Sequence, residues 1–224
     1  MKPTQAELYK PFDEFAEKAR KRIQQEMNRL ILAPWDELHI TQAKRKTEII
    51  FKRIDRMNRK AYRELCEWVY EWVLLQYDRE PEERDWTKVV DDWLKGYDPV
   101  TMYVYDSEME RKRLRLVEGI LTAGETQDRP ALTEVVRAAG SLLLTQSLQY
   151  GLDLMGETER KTFEEMDEEE MLVYHACNDS RTCAECHADD GKVFRKSEAP
   201  RIPRHYRCRC WYTRATVETA DEAD

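Results

Sequence analysis

The sequence predicts an α+β protein with a mainly α-helical body and a small cysteine-rich C-terminal module that contains a β-hairpin. Three observations support this class. Only seven Gly and eight Pro interrupt 224 residues, which favours long regular elements. Apolar side chains recur at three- and four-residue steps along the first half of the chain. Four of the six cysteines lie between residues 182 and 212, in a segment punctuated by Gly and Pro.

Two long helices are predicted at the start of the chain. The first covers roughly residues 5–32, where Phe12, Phe15, Ala19 and Ile23 belong to one apolar stripe. Thr4 is placed to cap it, with a glutamate three residues later as the capping-box partner. The second covers roughly residues 41–78 and ends in an aromatic half that we expect to be buried.

The middle of the chain predicts shorter elements. A short helix within residues 85–99 should stop at Gly96 and Pro99. Residues 100–105 should start extended before a helix capped by Asp106 or Ser107. A loop at 124–130 and a further helix follow, with Gly140 at a close helix contact. The acidic stretch at 156–170 favours a solvated surface helix or a linker.

The last part of the chain predicts the β structure. Residues 171–177 read as a strand, and "DDGK" at 189–192 favours a hairpin turn. We therefore expect four regions: an N-terminal long-helix region at 1–80, a helical middle region at 81–170, the cysteine-rich module at 171–216 and a disordered acidic tail at 217–224.

Charge is distributed unevenly along the second helix. The net charge of −8 disfavours a general nucleic-acid coat, yet residues 41–63 hold nine basic side chains against two acidic ones. This segment is either a solvated face or a docking surface for an acidic partner or for DNA phosphates. The nine are Lys44, Arg45, Lys46, Lys52, Arg53, Arg56, Arg59, Lys60 and Arg63.

The compartment follows from the absence of targeting signals. No apolar run has the length of a membrane-spanning helix, and the first twenty residues carry acidic side chains without an apolar core. We therefore expect a protein of the reducing cytoplasm, without membrane contact. Clustered cysteines there are more often metal ligands or free thiols than disulfides.

The cysteine-rich segment has the spacing of a zinc site. Cys183 and Cys186 form a C-x2-C pair, and His205, Cys208 and Cys210 follow after 18 residues as H-x2-C-x-C. Zinc takes four ligands and five are offered, so one structural zinc per chain would use the first four, with Cys210 as substitute for either of the last two. Reduced thiols without metal and disulfides are the alternatives.

Catalysis is a weaker interpretation of the same segment. Asp179, Asp189 and Asp190 stand in turn-forming contexts, and a zinc-stapled nuclease would need a second histidine on a helix after His205. We expect no enzyme and no small-molecule substrate. The alternative is a zinc-stapled nucleic-acid-binding protein that grips phosphates through arginines near the metal. These are Arg181, Arg195, Arg201, Arg204, Arg207 and Arg209.

The segment "NDSRTCAECHADDGKVF", a Pro-containing gap and "PRHYRCRC" resemble the C-terminal motif of the phage Mu F-like head-morphogenesis, or minor capsid, proteins. Residues 97–121 resemble, more loosely, the helical region that precedes the motif. Two departures are Asp189, where leucine is common, and Tyr206-Arg207, where Pro-Asn is common. The motif falls on Asp179, Arg181, Cys183, Cys186, Asp190, Gly191, Pro203, His205, Cys208, Arg209 and Cys210.

The resemblance implies a structural protein of a phage or prophage head. It implies portal, capsid or scaffold proteins as partners and contact with packaged DNA, to which the basic helix half is suited. The protein would lie in the host cytoplasm during assembly and inside the virion head afterwards.

Overall fold

The structure, a computed structural model, describes residues 4–96, 100–166, 171–180 and 182–215. The predicted fold class is confirmed: the described residues form long helices followed by a small antiparallel sheet. The helices are α1 Gln5–Ile31, α2 Ile40–Leu75, α3 Trp86–Leu94, α4 Tyr105–Thr126, α5 Arg129–Glu164 and α6 Ala184–Asp189. The strands are β1 Met171–His175, β2 Val193–Arg195 and β3 Trp211–Arg214.

The chain divides into two compact units, each assembled from separate segments. The helical unit contains residues 14–61 and 91–150, and the sheet unit contains residues 1–13, 62–90 and 151–224. The predicted division into four sequence regions stays a prediction, and its acidic tail at 217–224 lies outside the described residues.

The helical unit is built on the predicted apolar stripes. Phe15, Ala19 and Ile23 of α1 are buried, as the periodicity indicates. Gly140 of α5 lies against α1, because a Cβ atom there would come within 3.0 Å of the Met27 Cγ atom. The predicted close contact at Gly140 is therefore confirmed.

Two helix starts show where local signals succeed and fail. The Thr4 backbone N–H donates to Glu7 Oε2 at 2.9 Å, as a capping box requires. Helix α4, in contrast, begins one residue before the predicted caps, with Val104 as N-cap, and residues 100–104 form turns rather than a strand. Because the helix starts earlier, it includes Tyr105, which is fully buried. Asp106 pairs with Arg59 and does not cap the helix.

The acidic stretch is not solvated over residues 156–164, so the prediction of a surface helix or linker is wrong there. These residues form the end of α5, and Thr158, Glu159, Thr162 and Phe163 are buried in the sheet unit. The Glu159 carboxylate accepts a hydrogen bond from the Tyr212 backbone N–H at 2.8 Å. Burial raises the pKa of Glu159 to about 8, so the side chain enters the core largely as a neutral acid.

The sheet has the order β2-β1-β3, and both pairings are antiparallel. The outer edge of β3 is covered by side chains: Glu159 accepts from Tyr212 N–H, and the Gln76 side-chain oxygen accepts from Arg214 N–H at 2.8 Å. These side chains satisfy backbone N–H groups that could otherwise form hydrogen bonds with a strand of another molecule. They also fix β3 and the segment that precedes it.

The "DDGK" turn does not join two strands directly. Helix α6 lies between β1 and β2, and the turn leads from that helix into β2. Gly191 has a φ of +79°, a conformation in which a side chain would be strained. The predicted antiparallel strands exist, but their connection contains a helix because Cys183 caps one there.

Candidate metal centre

Helix α6 positions the first two cysteines. Cys183 is its N-cap residue, and its sulfur accepts a hydrogen bond from the Cys186 backbone N–H at 3.4 Å. Cys186 lies in the first turn and is fully buried. The C-x2-C spacing therefore places both sulfur atoms at the same end of one short helix.

The segment before β3 supplies the other three candidates. His205 and Cys208 are linked by a turn in which the Cys208 N–H donates to the His205 carbonyl oxygen at 3.1 Å. The start of this segment is pressed onto α5 at Gly156, where a Cβ atom would lie 2.7 Å from the Ile202 carbonyl oxygen. Only a glycine allows the backbone to approach α5 this closely, three residues before His205.

The five candidate side chains converge on Cys186. The ligand atoms of Cys183, Cys186 and His205 lie within 4.8 Å of one another, and so do those of Cys186, Cys208 and Cys210. The Cys186 Sγ atom is 3.4 Å from His205 Nε2. The structure thus brings all five together, while the choice of four ligands stays a prediction.

The histidine is oriented as a metal ligand would be. His205 Nδ1 lies 3.0 Å from the Tyr206 carbonyl oxygen, and a carbonyl can only accept, so Nδ1 carries the proton in that contact. The lone pair then resides on Nε2, which points toward Cys186. Histidine ligands are commonly fixed in this way by a bond from the other ring nitrogen.

The thiols differ in how readily they ionise. Burial raises the pKa of Cys186 to about 11. The hydrogen bond from Cys210 lowers the pKa of Cys208 to about 5, and the same bond raises the pKa of Cys210. One thiolate therefore forms easily in this cluster, but several do not without a cation to compensate their charge.

This donor set fits zinc. Thiolates and an imidazole are the ligands that Zn²⁺ prefers, and a site with four protein ligands is closed to substrate. Cys186, Cys208 and Cys210 are buried, while Cys183 and His205 are partly exposed. The residues could hold a metal ion whose role is structural.

The remaining cysteines lie outside both groups in the described part of the chain. Cys66 is buried within α2, and burial raises its thiol pKa to about 12, as expected for a small core residue. Cys177 is partly exposed and its sulfur lies 2.7 Å from the Gln5 side-chain nitrogen.

The aspartates singled out from the sequence have structural partners. Asp190 accepts hydrogen bonds from the Ala176 N–H at 2.8 Å and the Asn178 side chain at 2.7 Å. Asp189 accepts one from Arg204 at 2.7 Å. The expected role of Asp190 in a turn is confirmed, and Arg204 is held within the fold. Arg181 lies outside the described residues.

The sequence reasoning missed a contribution from the first helix. The Tyr9 hydroxyl donates to the Cys210 carbonyl oxygen at 3.1 Å. The Arg209 guanidinium lies 4.4 Å from the centre of the Tyr9 ring and pairs with Asp13 at 3.2 Å. An arginine between two cysteines is a weak signal, and nothing in the sequence pairs it with a helix 196 residues earlier.

The family described as Phage Mu protein F like protein matches residues 125–213. This range contains β1, α6, β2 and nearly all of β3, together with all five candidate ligands. The looser resemblance at residues 97–121 lies outside the matched range and stays a prediction.

Neither a curated protein nor a solved structure matches the chain at a significant level. None of the helices in the described ranges is long and apolar enough to cross a membrane. The family match agrees with the cysteine and histidine pattern on which the resemblance was based. Residues 125–213 are therefore similar to the family described as Phage Mu protein F like protein.

Proposed function

We propose that the protein acts in phage head morphogenesis as a non-enzymatic minor capsid component, near the portal or in the procapsid. The observation that carries this proposal is the convergence of five cysteine and histidine side chains inside the range that matches the family. A closed cluster of this kind stabilises a small module for protein contacts. Phage portal, capsid or scaffold proteins are the proposed partners, in the host cytoplasm and then in the virion head.

The proposed metal is one structural zinc per chain. Cys183, Cys186, His205 and Cys208 would hold it, with Cys210 as the substitute for His205 or Cys208. Bound zinc supplies a dication that compensates the buried thiolates. The zinc ion would join α6 to the segment before β3. These two parts of the chain contribute few buried apolar residues of their own. The sheet unit would therefore lose order when the metal is removed.

The assembly role is tested by co-expression with the portal protein of the phage or prophage that encodes this chain. We expect the two proteins to co-purify at high ionic strength, because a module held together by zinc can bind a partner through packing contacts that salt does not screen. Cys186→Ser should lose the complex, while Cys66→Ala should keep it. If neither the portal nor the capsid or scaffold proteins are retained by the wild-type chain, the assembly role is wrong.

A second candidate function is contact with packaged DNA through α2. Arg45, Lys52, Arg56 and Lys60 are exposed and follow at steps of seven, four and four residues, so they share one helix face. Their Cα atoms span about 22 Å at 1.5 Å per residue. A straight row of cations of this length suits a phosphate backbone.

The structure narrows the predicted basic set. Arg59 is engaged by three carboxylates, those of Asp55, Asp91 and Asp106, and is therefore a bridge within the helical unit. Lys46 pairs with Glu37. Six exposed members remain as the proposed contact set: Lys44, Arg45, Lys52, Arg53, Arg56 and Lys60. Two of them also have a carboxylate partner, since Lys52 pairs with Glu48 and Arg53 pairs with Glu26.

Binding of a labelled DNA duplex, followed by fluorescence anisotropy at several salt concentrations, tests this interaction. Replacing both Arg45 and Arg56 by Ala should weaken binding and reduce the salt slope by about two, because each arginine that neutralises a phosphate adds roughly one to the slope. Lys88→Ala, an exposed lysine on α3, is the control. An unchanged slope in the double variant would exclude this face.

A further inference from the structure

The sheet unit contains a cavity of about 530 Å³ that is separate from the cysteine cluster. Its inner wall is apolar and comes from three elements: Phe163 of α5, Leu172 of β1 and Tyr212 of β3. All three side chains are buried, so the wall belongs to the core. Cavities of roughly 300–1,000 Å³ accommodate drug-sized ligands, which means that a large side chain fits with room for its neighbours.

Three cations, here called the rim cations, lie among the residues that line the cavity: Arg160 of α5, Lys196 after β2 and Arg201. Two carboxylates oppose them: Glu164 of the lining, and Glu157 beside it, which pairs with Arg160 and Arg201. An excess of cations around an apolar wall complements a ligand that is both apolar and anionic.

The rim cations are held in place by their surroundings. Arg160 donates two hydrogen bonds to Glu157, at 3.1 and 2.7 Å. Lys196 Nζ donates to the Met166 carbonyl oxygen at 2.9 Å. These bonds orient the cations before a ligand arrives, which reduces the entropy lost on binding.

Arg201 is the cation best placed to meet a ligand. Its guanidinium lies 3.6 Å from Glu157 Oε2, beyond hydrogen-bond distance, and that carboxylate already accepts two bonds from Arg160. The Arg201 side chain is 45% exposed. A guanidinium carries five N–H donors, so Arg201 can bind an incoming carboxylate without breaking a hydrogen bond to Glu157.

The lining indicates binding rather than chemistry. No histidine or cysteine occurs among the lining residues of the described chain, and Glu164 is bound by Arg160. We propose that this cavity is a docking site for a peptide segment of a partner protein, in which a large apolar side chain is flanked by carboxylates.

Each part of the proposed ligand has a counterpart in the cavity. The apolar side chain would contact the half-exposed Ala199 and Pro200 of the lining, over the buried Phe163, Leu172 and Tyr212, and its burial would drive binding. The flanking carboxylates would meet the rim cations through charge-assisted hydrogen bonds. This inference stands independently of a role in head assembly.

The test uses the full-length chain, purified under reducing conditions with zinc, and a fluorescent capped peptide of sequence Asp-Glu-Phe-Glu-Asp. Anisotropy titrations compare it with Lys-Lys-Phe-Lys-Lys and with Asp-Glu-Ser-Glu-Asp. We expect saturable binding of the first peptide alone. Arg201→Glu should weaken it by about tenfold or more, the change that corresponds to one strong charged contact. Lys88→Glu, with the same charge change outside the cavity, should not.

A second variant guards against misfolding of the first. Ala199 lines the cavity, so Ala199→Trp should fill it and abolish binding without altering any charge. Circular dichroism and zinc content report whether each variant is folded. Equal binding of the three peptides, no saturable binding, or binding unchanged in both variants would overturn the proposal. Displacement of the peptide by a short single-stranded oligonucleotide would overturn it too, because the site would then belong to nucleic acid.

Discussion

The Tyr9 hydroxyl donates a hydrogen bond to the Cys210 carbonyl oxygen at 3.1 Å, joining residues that are 201 positions apart in the chain. Both residues are buried. The start of α1 is thereby part of the same compact unit as the cysteine cluster. The hydrogen bond adds to the contact of Tyr9 with Arg209, and together they couple the order of the first helix to that of the module.

Tyr9→Phe should therefore destabilise the sheet unit. The variant keeps the ring under Arg209 but leaves the Cys210 carbonyl oxygen without this donor, which costs about 1–3 kcal/mol in a buried site. Chemical denaturation followed by circular dichroism measures the loss. Tyr206→Phe, an exposed tyrosine in the same module, should change little. Equal effects of the two variants would contradict the proposed coupling.

Metal content should depend on the cysteine that both groups share. Native mass spectrometry of the reduced protein should show one zinc per chain that is lost on acidification. Cys186→Ser should remove it, because Cys186 belongs to both candidate groups, whereas Cys66→Ala should retain it. A metal-free native chain with all thiols reduced would exclude the zinc site.

The fourth ligand can be identified by the same measurement. Cys208→Ser and Cys210→Ser each leave four of the five candidates, so the variant with the weaker zinc affinity marks the residue that coordinates the ion. The proposed set predicts weaker affinity in Cys208→Ser, where Cys210 would have to replace the lost ligand, and unchanged affinity in Cys210→Ser. The reverse pattern would exchange their roles.

Gly156→Ala should disturb the segment that leads to His205. An added Cβ would lie 2.7 Å from the Ile202 carbonyl oxygen and from Pro203 Cδ, so the backbone must shift, at a cost of about 1–3 kcal/mol. Gly124→Ala is a matched control in α4, since its nearest neighbour is 3.7 Å away. That change should be neutral or stabilising by up to about 1 kcal/mol. Thermal unfolding of both variants distinguishes these outcomes.

Acid should weaken the sheet unit through His175. Burial lowers the pKa of this histidine, whose ring stacks on Trp211 and contacts Thr213 Oγ1 at 2.7 Å. The unfolded chain then binds the proton more readily than the folded one. His175 therefore contributes stability above its unfolded pKa of about 6.5, and this is lost as the pH falls through the folded value.

The measurement compares wild type with His175→Gln between neutral and mildly acidic pH. Both proteins are kept in excess EDTA, so that release of metal does not enter the comparison. The free energy of unfolding should fall more steeply with acid in the wild type than in the variant. Parallel curves would show that His175 makes no such contribution.

The sequence by itself determined the class of the fold and the membership of the cysteine cluster. Helical periodicity depends on neighbours three and four residues away, so α1, α2 and α5 could be located from the chain alone. The spacing of Cys183 and Cys186 is equally local, and it predicts two ligands for one metal ion. That both lie at the end of a short helix was found only in the structure. The five candidate ligands therefore follow from local spacing, without knowledge of their geometry.

Tertiary structure alone decided which polar residues are buried. Glu159 lies in a stretch whose charge predicts solvent exposure. It is buried instead, because its carboxyl group accepts a hydrogen bond from the Tyr212 backbone N–H of β3. The start of α4 was likewise set by the burial of Tyr105 rather than by the capping residues beside it. Both depend on partners distant in the chain, which local propensity does not encode.

Tertiary structure also brought Tyr9 to the cysteine module and formed the cavity beside β3. Neither leaves a periodic or spaced signal, because each is made by side chains from elements far apart in sequence. Local steps of the chain determine which elements form and which ligands are offered. The packing of those elements determines what surrounds the cluster, since burial and hydrogen-bond satisfaction are properties of the assembled fold.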